Sequence, residues 1–170
     1  MTETLTPELT QELVRSLFDY RDGSLFWKVS TTNSVCVGQK AGTSVNDSGY
    51  HIVGIGGKTY RLHRIIFLYH HGYSPKNVDH INGDRANNSI ENLRPADDFQ
   101  NSRNSKISKR NKSNVKGVCW ANHVNKWMVQ VRQGNSKKYL GLYDDIELAE
   151  LVAIEARNKF HKEYANHGTY

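Results

Sequence analysis

Hydrophobic positions near the N-terminus recur at helical spacing and then follow the pattern of strands. Apolar side chains recur at that spacing between Leu9 and Phe18, after Thr6-Pro7, a pair that is typical of helix starts. This helix is expected to end near Gly23, whose conformational freedom permits a turn. The next run, SLFWKV, predicts a strand, and two further strand-like runs flank Gly56-Gly57, which favours a hairpin turn.

Short segments of helix and strand pattern continue through the middle of the chain. HRIIFLYHHG predicts a short amphipathic helix, KNVDHI a strand, NGD a turn and ADDFQNSRN a helix. Asp97 and Asp98 fall in the first turn of this last helix, where the helix dipole favours negative charge. The mixture of elements indicates an α+β fold.

The pattern changes after a polar, basic linker that ends near residue 108. VKGVCW, KWMVQVRQ and KKYLGLY are strand-like runs separated by turn-like residues, and a long amphipathic helix closes the chain. Three strands and a helix can bury one small core. We therefore predict one domain over residues 1–107, with an N-terminal helix and hairpin. The second, over residues 108–170, is predicted as a small three-stranded antiparallel sheet plus one helix.

Composition indicates a globular chain, with 37% hydrophobic and 24% charged residues among 170. The longest apolar run, RIIFLY, is far too short to span a bilayer, and the N-terminus lacks the pattern of a signal peptide. Cys36 and Cys119 are too few for a Cys-rich zinc site and are expected to be buried, reduced thiols. We expect a cytoplasmic protein with no membrane partner.

The formal charge of +6 is unevenly distributed along the chain. Residues 1–100 hold 10 Lys or Arg and 11 Asp or Glu, whereas residues 101–138 hold ten basic side chains and no acidic one. A solvated surface usually mixes both signs. A stretch of one sign is typical of proteins that bind a polyanion, and we expect nucleic acid.

Residues 78–101, VDHINGDRANNSIENLRPADDFQN, combine an Asp-His pair with many asparagines. Hydrolysis of a phosphodiester needs a base, commonly histidine, and a cation that hard oxygen ligands hold. Asp79 and His80 are adjacent, so on a strand their side chains point to opposite faces. They share one site only if a third element, such as a helix that carries Asn101, supplies another ligand.

The same stretch resembles the HNH endonuclease motif, a ββα-metal finger, in its phage homing-endonuclease branch. The resemblance covers about residues 61–104, with the finger core at about residues 76–104. It implies that His80 is the catalytic base, that Asp79 and Asn101 are metal ligands, and that Asn92 pins the finger loop as part of the catalytic motif. With Asn101 as the last ligand, Mg²⁺ is expected, or Mn²⁺, rather than zinc.

The expected roles of the other polar residues in this region are less specific. Asn82, Asn87 and Asn88 are expected to be plain turn residues. Arg94 is a candidate for a phosphate clamp, with a salt bridge as an equal alternative. His63 lies at a helix start, where it can cap, pack or approach DNA, and its role is left open.

Residues 113–164 resemble the ethylene-response-factor (APETALA-type) DNA-binding domain, in VKGVCW, KW…VR, KKYLGLYDD and the Ala-rich helix that follows. Strand alternation in KWMVQVRQ separates a polar, basic face from an apolar face, and a DNA major groove admits a two-stranded β-ribbon. The resemblance implies these DNA-facing residues: Lys116, Lys126, Gln130, Arg132, Lys137 and Tyr139.

These observations predict a metal-dependent DNA endonuclease, a phosphodiester hydrolase of phage homing or nicking type that acts on double-stranded DNA in the host cytoplasm. The alternative is a non-catalytic, sequence-specific DNA-binding phage regulator. The intact Asp-His pair favours the enzyme, because a structural finger needs no free base beside a metal carboxylate. The target sequence, the oligomeric state and the choice between nicking and double-strand cutting are left open.

Overall fold

A computed structural model describes residues 9–104, 107–108 and 110–168. The chain divides into two compact units, Met1–Pro95 and Ala96–Tyr170, each with a hydrophobic core of its own. Helices occur beside small antiparallel sheets, so the expected α+β class is confirmed. No helix among the described residues is long and apolar enough to cross a membrane.

The first helix is shorter than the hydrophobic pattern predicts. Thr6 and Pro7 lie outside the described residues, and helix α1 begins at Gln11, where the Thr10 side chain accepts a hydrogen bond from the Leu13 N–H. It ends at Leu17, because Phe18 already belongs to a strand. The elements of this region are α1 (Gln11–Leu17), β1 (Phe18–Arg21) and β2 (Ser24–Trp27).

The prediction of helix up to Gly23 is therefore wrong from Phe18 onward. Strands β1 and β2 form an antiparallel hairpin in which Phe18 pairs with Trp27, their ring centroids 4.4 Å apart. Asp22 and Gly23 both have positive φ, 44° and 76°, as a tight two-residue hairpin turn requires. Burial of the two aromatic rings on one face of the hairpin outweighs the local helical spacing.

The rest of the first unit surrounds one central helix, α2. It begins directly after β5 and ends at Gly72, which has a φ of 76°. The hairpin predicted at Gly56-Gly57 is confirmed between β4 and β5. Helix α2 packs on strands and on α1, and its apolar face forms much of the core with Val14, Phe18 and Leu25. The elements are β3 (Ser44–Val45), β4 (His51–Ile55), β5 (Lys58–Arg61), α2 (Leu62–His71), β6 (Asn77–His80), a 3-10 turn (Ile90–Asn92) and β7 (Leu93–Ala96).

The predicted three strands and closing helix of the second unit are confirmed. The sheet has the order β10-β9-β8, with antiparallel neighbours, and α4 packs on it over a core that includes Val118, Val129 and Ala153. Asp97 caps α3 in a capping box with Gln100. The elements are α3 (Asp98–Arg103), β8 (Val118–Ala121), β9 (Lys126–Gln133), β10 (Ser136–Tyr143), α4 (Ile146–His161) and a 3-10 turn (Lys162–Tyr164).

The structural division falls at Pro95/Ala96, before α3, whereas the sequence pattern predicts it at residues 107/108. Helix α3 is tied to the second unit by hydrogen bonds from its C-terminal end. The Asn166 amide donates to the Asn104 carbonyl at 2.9 Å, and Lys116 Nζ donates to the Arg103 carbonyl at 2.7 Å. The expectation of buried thiols is wrong, since both cysteines are exposed.

Candidate functional site

Asp79 and His80 end strand β6, and both side chains are buried. Neighbouring strand residues face opposite sides of the chain, and the contacts of the two residues differ accordingly. Asp79 contacts Arg94 of β7, whereas His80 contacts Asn88 and the ring of His63. The pair therefore links two polar networks within the first unit.

The Asp79 carboxylate forms an ion pair with Arg94. Both Nε and Nη2 of the guanidinium donate to Oδ2, at 3.0 and 2.9 Å. Both side chains are largely shielded from water, so the arginine offsets the cost of burying the carboxylate. The structure thus contains a salt bridge of Arg94, which was one of the two expectations for this residue. A role of Arg94 as a phosphate clamp stays a prediction.

Asn88 determines which nitrogen of His80 carries the proton. The amide nitrogen of Asn88 donates to the Ala86 carbonyl, and its Oδ1 lies 3.2 Å from His80 Nε2. Because an amide oxygen only accepts, Nε2 is the protonated nitrogen, and the neutral ring has its lone pair on Nδ1. Burial lowers the pKa of His80, while the Asn88 bond and the charges of Asp79 and Asp84 oppose that shift. The imidazole is therefore neutral, and basic, at neutral pH.

His63 and Tyr50 pack their rings around His80. The His63 and His80 centroids are 4.8 Å apart in an edge-on arrangement, and Tyr50 lies 5.1 Å from His63. Burial lowers the pKa of His63 to about 3, with a further contribution from His80. The exposed guanidinium groups of Arg61 and Arg85 lie over the Tyr50 ring, at 4.7 and 4.6 Å from its centroid. Positive charge thus borders the buried histidines.

Asn92 joins the two ends of the loop that follows β6. Its Oδ1 accepts from the Asn82 N–H at 3.0 Å, and its Nδ2 donates to the Asn87 carbonyl at 2.8 Å. Asn82 and Asn87 themselves form side-chain turns with Asp84 and Ser89, as expected of turn residues. The loop that presents Asn88 to His80 is fixed in this way. A catalytic role for Asn92 stays a prediction.

Asn101 lies on α3 of the second unit and is exposed. Its role as a metal ligand with Asp79 stays a prediction. The oxygen donors of the two residues suit a hard divalent ion. The described residues contain no cluster of three or more His, Cys, Asp or Glu side chains that could hold a metal, so water and substrate would have to complete the shell.

The open face of the C-terminal sheet carries most of the expected DNA-facing side chains. Arg132 pairs with Lys137 and Gln130 with Tyr139 across β9 and β10, so these four side chains share one face, and the predicted alternation is confirmed. Val129 and Val131 face the core. Two further expected residues behave differently, since Lys126 is paired with Asp144 at 2.9 Å and Lys116 is half-buried. DNA contact by any of them stays a prediction.

Sequence reasoning missed the contacts of Asn88 and Tyr50. Asn88 was expected to be a plain turn residue, yet it is buried and bonded to His80. Nothing in the local pattern distinguishes it from Asn87, because both follow the same turn. Tyr50 begins a strand-like run with no motif of its own. The Asp79-His80 pair identified the site from the sequence, but it did not indicate which residues contact His80.

Comparison with known proteins finds a family match over the segment that contains Asp79 and His80. Residues 60–103 match the family model described as HNH endonuclease. The match supports a nuclease. The chain is also 29% identical over 110 residues to Protein 3.8 of Escherichia phage T7, across 64% of this chain and 90% of that protein. The similarity lends a phage context, and an HNH nuclease domain implies a nucleic acid substrate. No solved structure matches the chain significantly.

Proposed function

We propose that the chain is a metal-dependent endonuclease that hydrolyses phosphodiester bonds of double-stranded DNA, of the phage HNH homing or nicking type. One observation carries this proposal: a buried, neutral His80, oriented by Asn88, lies next to the Asp79 carboxylate within the segment that matches the HNH endonuclease model. A neutral imidazole held in one tautomer can accept a proton from water, as a general base does.

His80 acts as the general base in this proposal. The Asn88 bond keeps the proton on Nε2, so Nδ1 receives the proton of the attacking water. The Tyr50 and His63 rings limit the movement of the imidazole. Burial lowers the pKa of His63 to about 3, so His63 is too weak a base to compete for this proton at neutral pH.

Asp79 and Asn101 would hold the divalent ion, Mg²⁺ or Mn²⁺. Bound there, such an ion would neutralise charge that develops on the phosphate and on the leaving oxygen. Nε and Nη2 of Arg94 donate to one oxygen, Oδ2, and so help to fix the orientation of the Asp79 carboxylate. We assign this positioning role to Arg94 in addition to the phosphate contact expected from the sequence.

The second unit would hold the duplex. Its open sheet face presents Arg132 and Lys137 beside Gln130 and Tyr139 on two paired strands, and a major groove admits a two-stranded β-ribbon. Near the proposed catalytic base, the exposed Arg61 and Arg85 are suited to contact phosphates on the nuclease side.

Incubation of the protein with supercoiled plasmid and Mg²⁺ tests the proposal. We expect nicked or linear product, abolished by EDTA and restored by added Mg²⁺ or Mn²⁺. Far-UV circular dichroism should be unchanged by EDTA, because water and phosphate complete the metal shell in this proposal. Unfolding on chelation would instead make the ion structural and contradict the assignment of the site.

A DNA-binding regulator is the second candidate, favoured by one observation. The Asp79 carboxylate is already engaged by a bidentate arginine, as a structural ion pair would be. A regulator would bind duplex DNA and leave plasmid intact with every divalent ion tried. The plasmid experiment therefore separates the two functions.

A further inference from the structure

A cleft of about 480 Å³ lies within the second unit, between the end of α3, the corner before β8, the last residues of β9 and the last turns of α4. Its described lining residues include no aspartate or glutamate. The lining side chains that carry or can accept positive charge are Arg103, Lys116, Arg132, Lys137, Arg157 and His161. The fold thus gathers cations from distant parts of the chain around one space.

The corner before β8 has a conformation that only glycine tolerates. Gly117 has a φ of 86°, and a Cβ there would lie 2.7 Å from the Gln130 carbonyl oxygen. The close approach lets the Gln130 N–H donate to the Gly117 carbonyl at 2.8 Å. The neighbouring Lys116 is thereby held at the cleft, where its Nζ donates to the Arg103 carbonyl.

Two of the positive groups in the cleft, Arg157 and Lys116, lie close together and are shielded from water. Arg157 is only 2% exposed, and its guanidinium donates to the Lys116 carbonyl and to His167 Nδ1. Burial and the charge of Arg157 lower the pKa of Lys116 to about 8. Concentrating cations away from water costs free energy, and a bound anion offsets that cost.

His161 adds a further polar group to the same end of α4. Its Nε2 lies 2.7 Å from the Arg132 carbonyl oxygen, so this nitrogen carries a proton. Its Nδ1 is buried without a hydrogen-bond partner among the described residues. Burial lowers the pKa of His161, as do the charges of Arg103, Lys116 and Arg157, and an anion in the cleft would reverse the effect of those charges.

We propose that this cleft is a phosphate-binding site that takes one backbone phosphate of the DNA duplex, an inference that rests on the proposed function. Its volume falls in the range of roughly 300–1,000 Å³ typical of small-ligand sites. Val118 and Val131 also line it and provide apolar surface for a deoxyribose.

The site adds three residues to those proposed to contact DNA: Arg103, Arg157 and His161. None of these three lies on the open sheet face. Arg103 lies two residues after Asn101 on α3. A phosphate held by Arg103 would therefore attach the duplex to the same helix that carries the proposed metal ligand.

Thermal unfolding of the full chain with inorganic phosphate tests the site without DNA. We expect phosphate to raise the Tm relative to sodium chloride of equal ionic strength, because a ligand of the folded state stabilises it. Arg103→Gln and Lys116→Gln should lose this rise, whereas Lys159→Gln, an exposed site on α4 outside the cleft, should retain it. A rise that survives in both cleft variants, or no rise in the parent chain, overturns the proposal.

Duplex binding as a function of salt identifies the source of the phosphate. Arg103→Gln should lower the slope of log affinity against log salt by about one, whereas Lys159→Gln should leave it unchanged. Lys116→Gln, which lies in the cleft and not on the open sheet face, should lower the slope in the same way at pH 7. Slopes that stay at the parent value in the Arg103 and Lys116 variants overturn the assignment to DNA, even if inorganic phosphate binds. Because no cleavage is measured, this result is separate from failure of the nuclease proposal.

Discussion

The side chains proposed for catalysis and those proposed for DNA binding on the sheet differ in how exposed they are. In Met1–Pro95, Asp79, His80 and Asn88 are buried, and each is fixed by a hydrogen bond. In Ala96–Tyr170, Arg132 and Lys137 are exposed on a regular sheet. Acid-base chemistry requires a few groups with fixed orientation and shifted pKa, whereas attraction of a polyanion requires accessible charge. In the proposed function, the first unit therefore supplies the general base His80, and the second unit supplies accessible charge for the duplex.

The largest effect is expected at His80. His80→Ala should reduce cleavage by roughly 10²–10⁴-fold, since it removes the positioned general base, and duplex affinity should stay near the parent value. Plasmid cleavage and fluorescence anisotropy measure the two quantities. His123→Ala, an exposed histidine in the second unit, is the matched control and should cut normally. Equal cleavage by the His80 variant and the parent would contradict the assignment of His80 as the general base.

Substitutions on the sheet of the second unit should weaken DNA binding and leave the cleavage rate unchanged. Arg132→Gln combined with Lys137→Gln should weaken duplex binding by roughly tenfold for each lost phosphate contact at 0.1 M salt, because each contact releases about 0.9 counterion. The cleavage rate at saturating DNA should be unchanged. Titrations at several salt concentrations check the prediction, with Lys159→Gln as the control. Parent-like affinity would show that the sheet does not hold the duplex.

A smaller effect concerns base preference on the sheet face. Gln130→Ala should relax discrimination at one position of the target by about 1–3 kcal/mol, because a bidentate base contact is lost. Binding selection from a randomised duplex library measures it. Lys112→Ala, an exposed residue before β8, should weaken all sequences alike. An unaltered preference in the Gln130 variant would remove this residue from base recognition.

Asn88→Asp should change the pH profile of cleavage rather than its maximum. A carboxylate against Nε2 favours the imidazolium and raises the pKa of His80, so the neutral base is present only at higher pH. The acid limb of the rate profile should therefore move to higher pH, with the rate at pH 6 lowered and the rate at pH 8 retained. Asn87→Asp adds the same charge at an exposed neighbouring position and should shift the limb less. Identical profiles in the two variants would contradict the contact.

The smallest effect is expected at Lys116. Its pKa of about 8 means that the Lys116 ammonium loses its charge as pH rises from 7 to 9, so duplex affinity should fall in this range. DNA phosphodiesters keep their charge there, which leaves the protein as the source of the change. His161 is already neutral at pH 7 because its pKa is lowered, so it does not add to this change. Lys116→Gln should remove the pH dependence, and a parent-like decline in that variant would assign it elsewhere.

Several elements could be predicted because their signals are local. Gly56-Gly57 marks a hairpin, alternation in β9 separates Val129 and Val131 from the polar face, and Asp98 lies in the first turn of α3. Each depends on residues within one turn or one strand, so tertiary contacts had little to change. Local signals failed for the segment Phe18–Arg21, because its pairing with β2 overrides the helical spacing of its apolar residues.

The sequence by itself determined the residue types of the site and their order: the Asp79-His80 pair, the asparagine-rich loop and the basic stretch after residue 101. Only the tertiary structure decided that Asn88 rather than Asn87 reaches His80, and that Arg103 and Arg157 line one cleft. The physical reason is that hydrogen bonds and charge interactions act over a few ångströms of space. Periodicity, in contrast, reports only which side of an element a residue occupies.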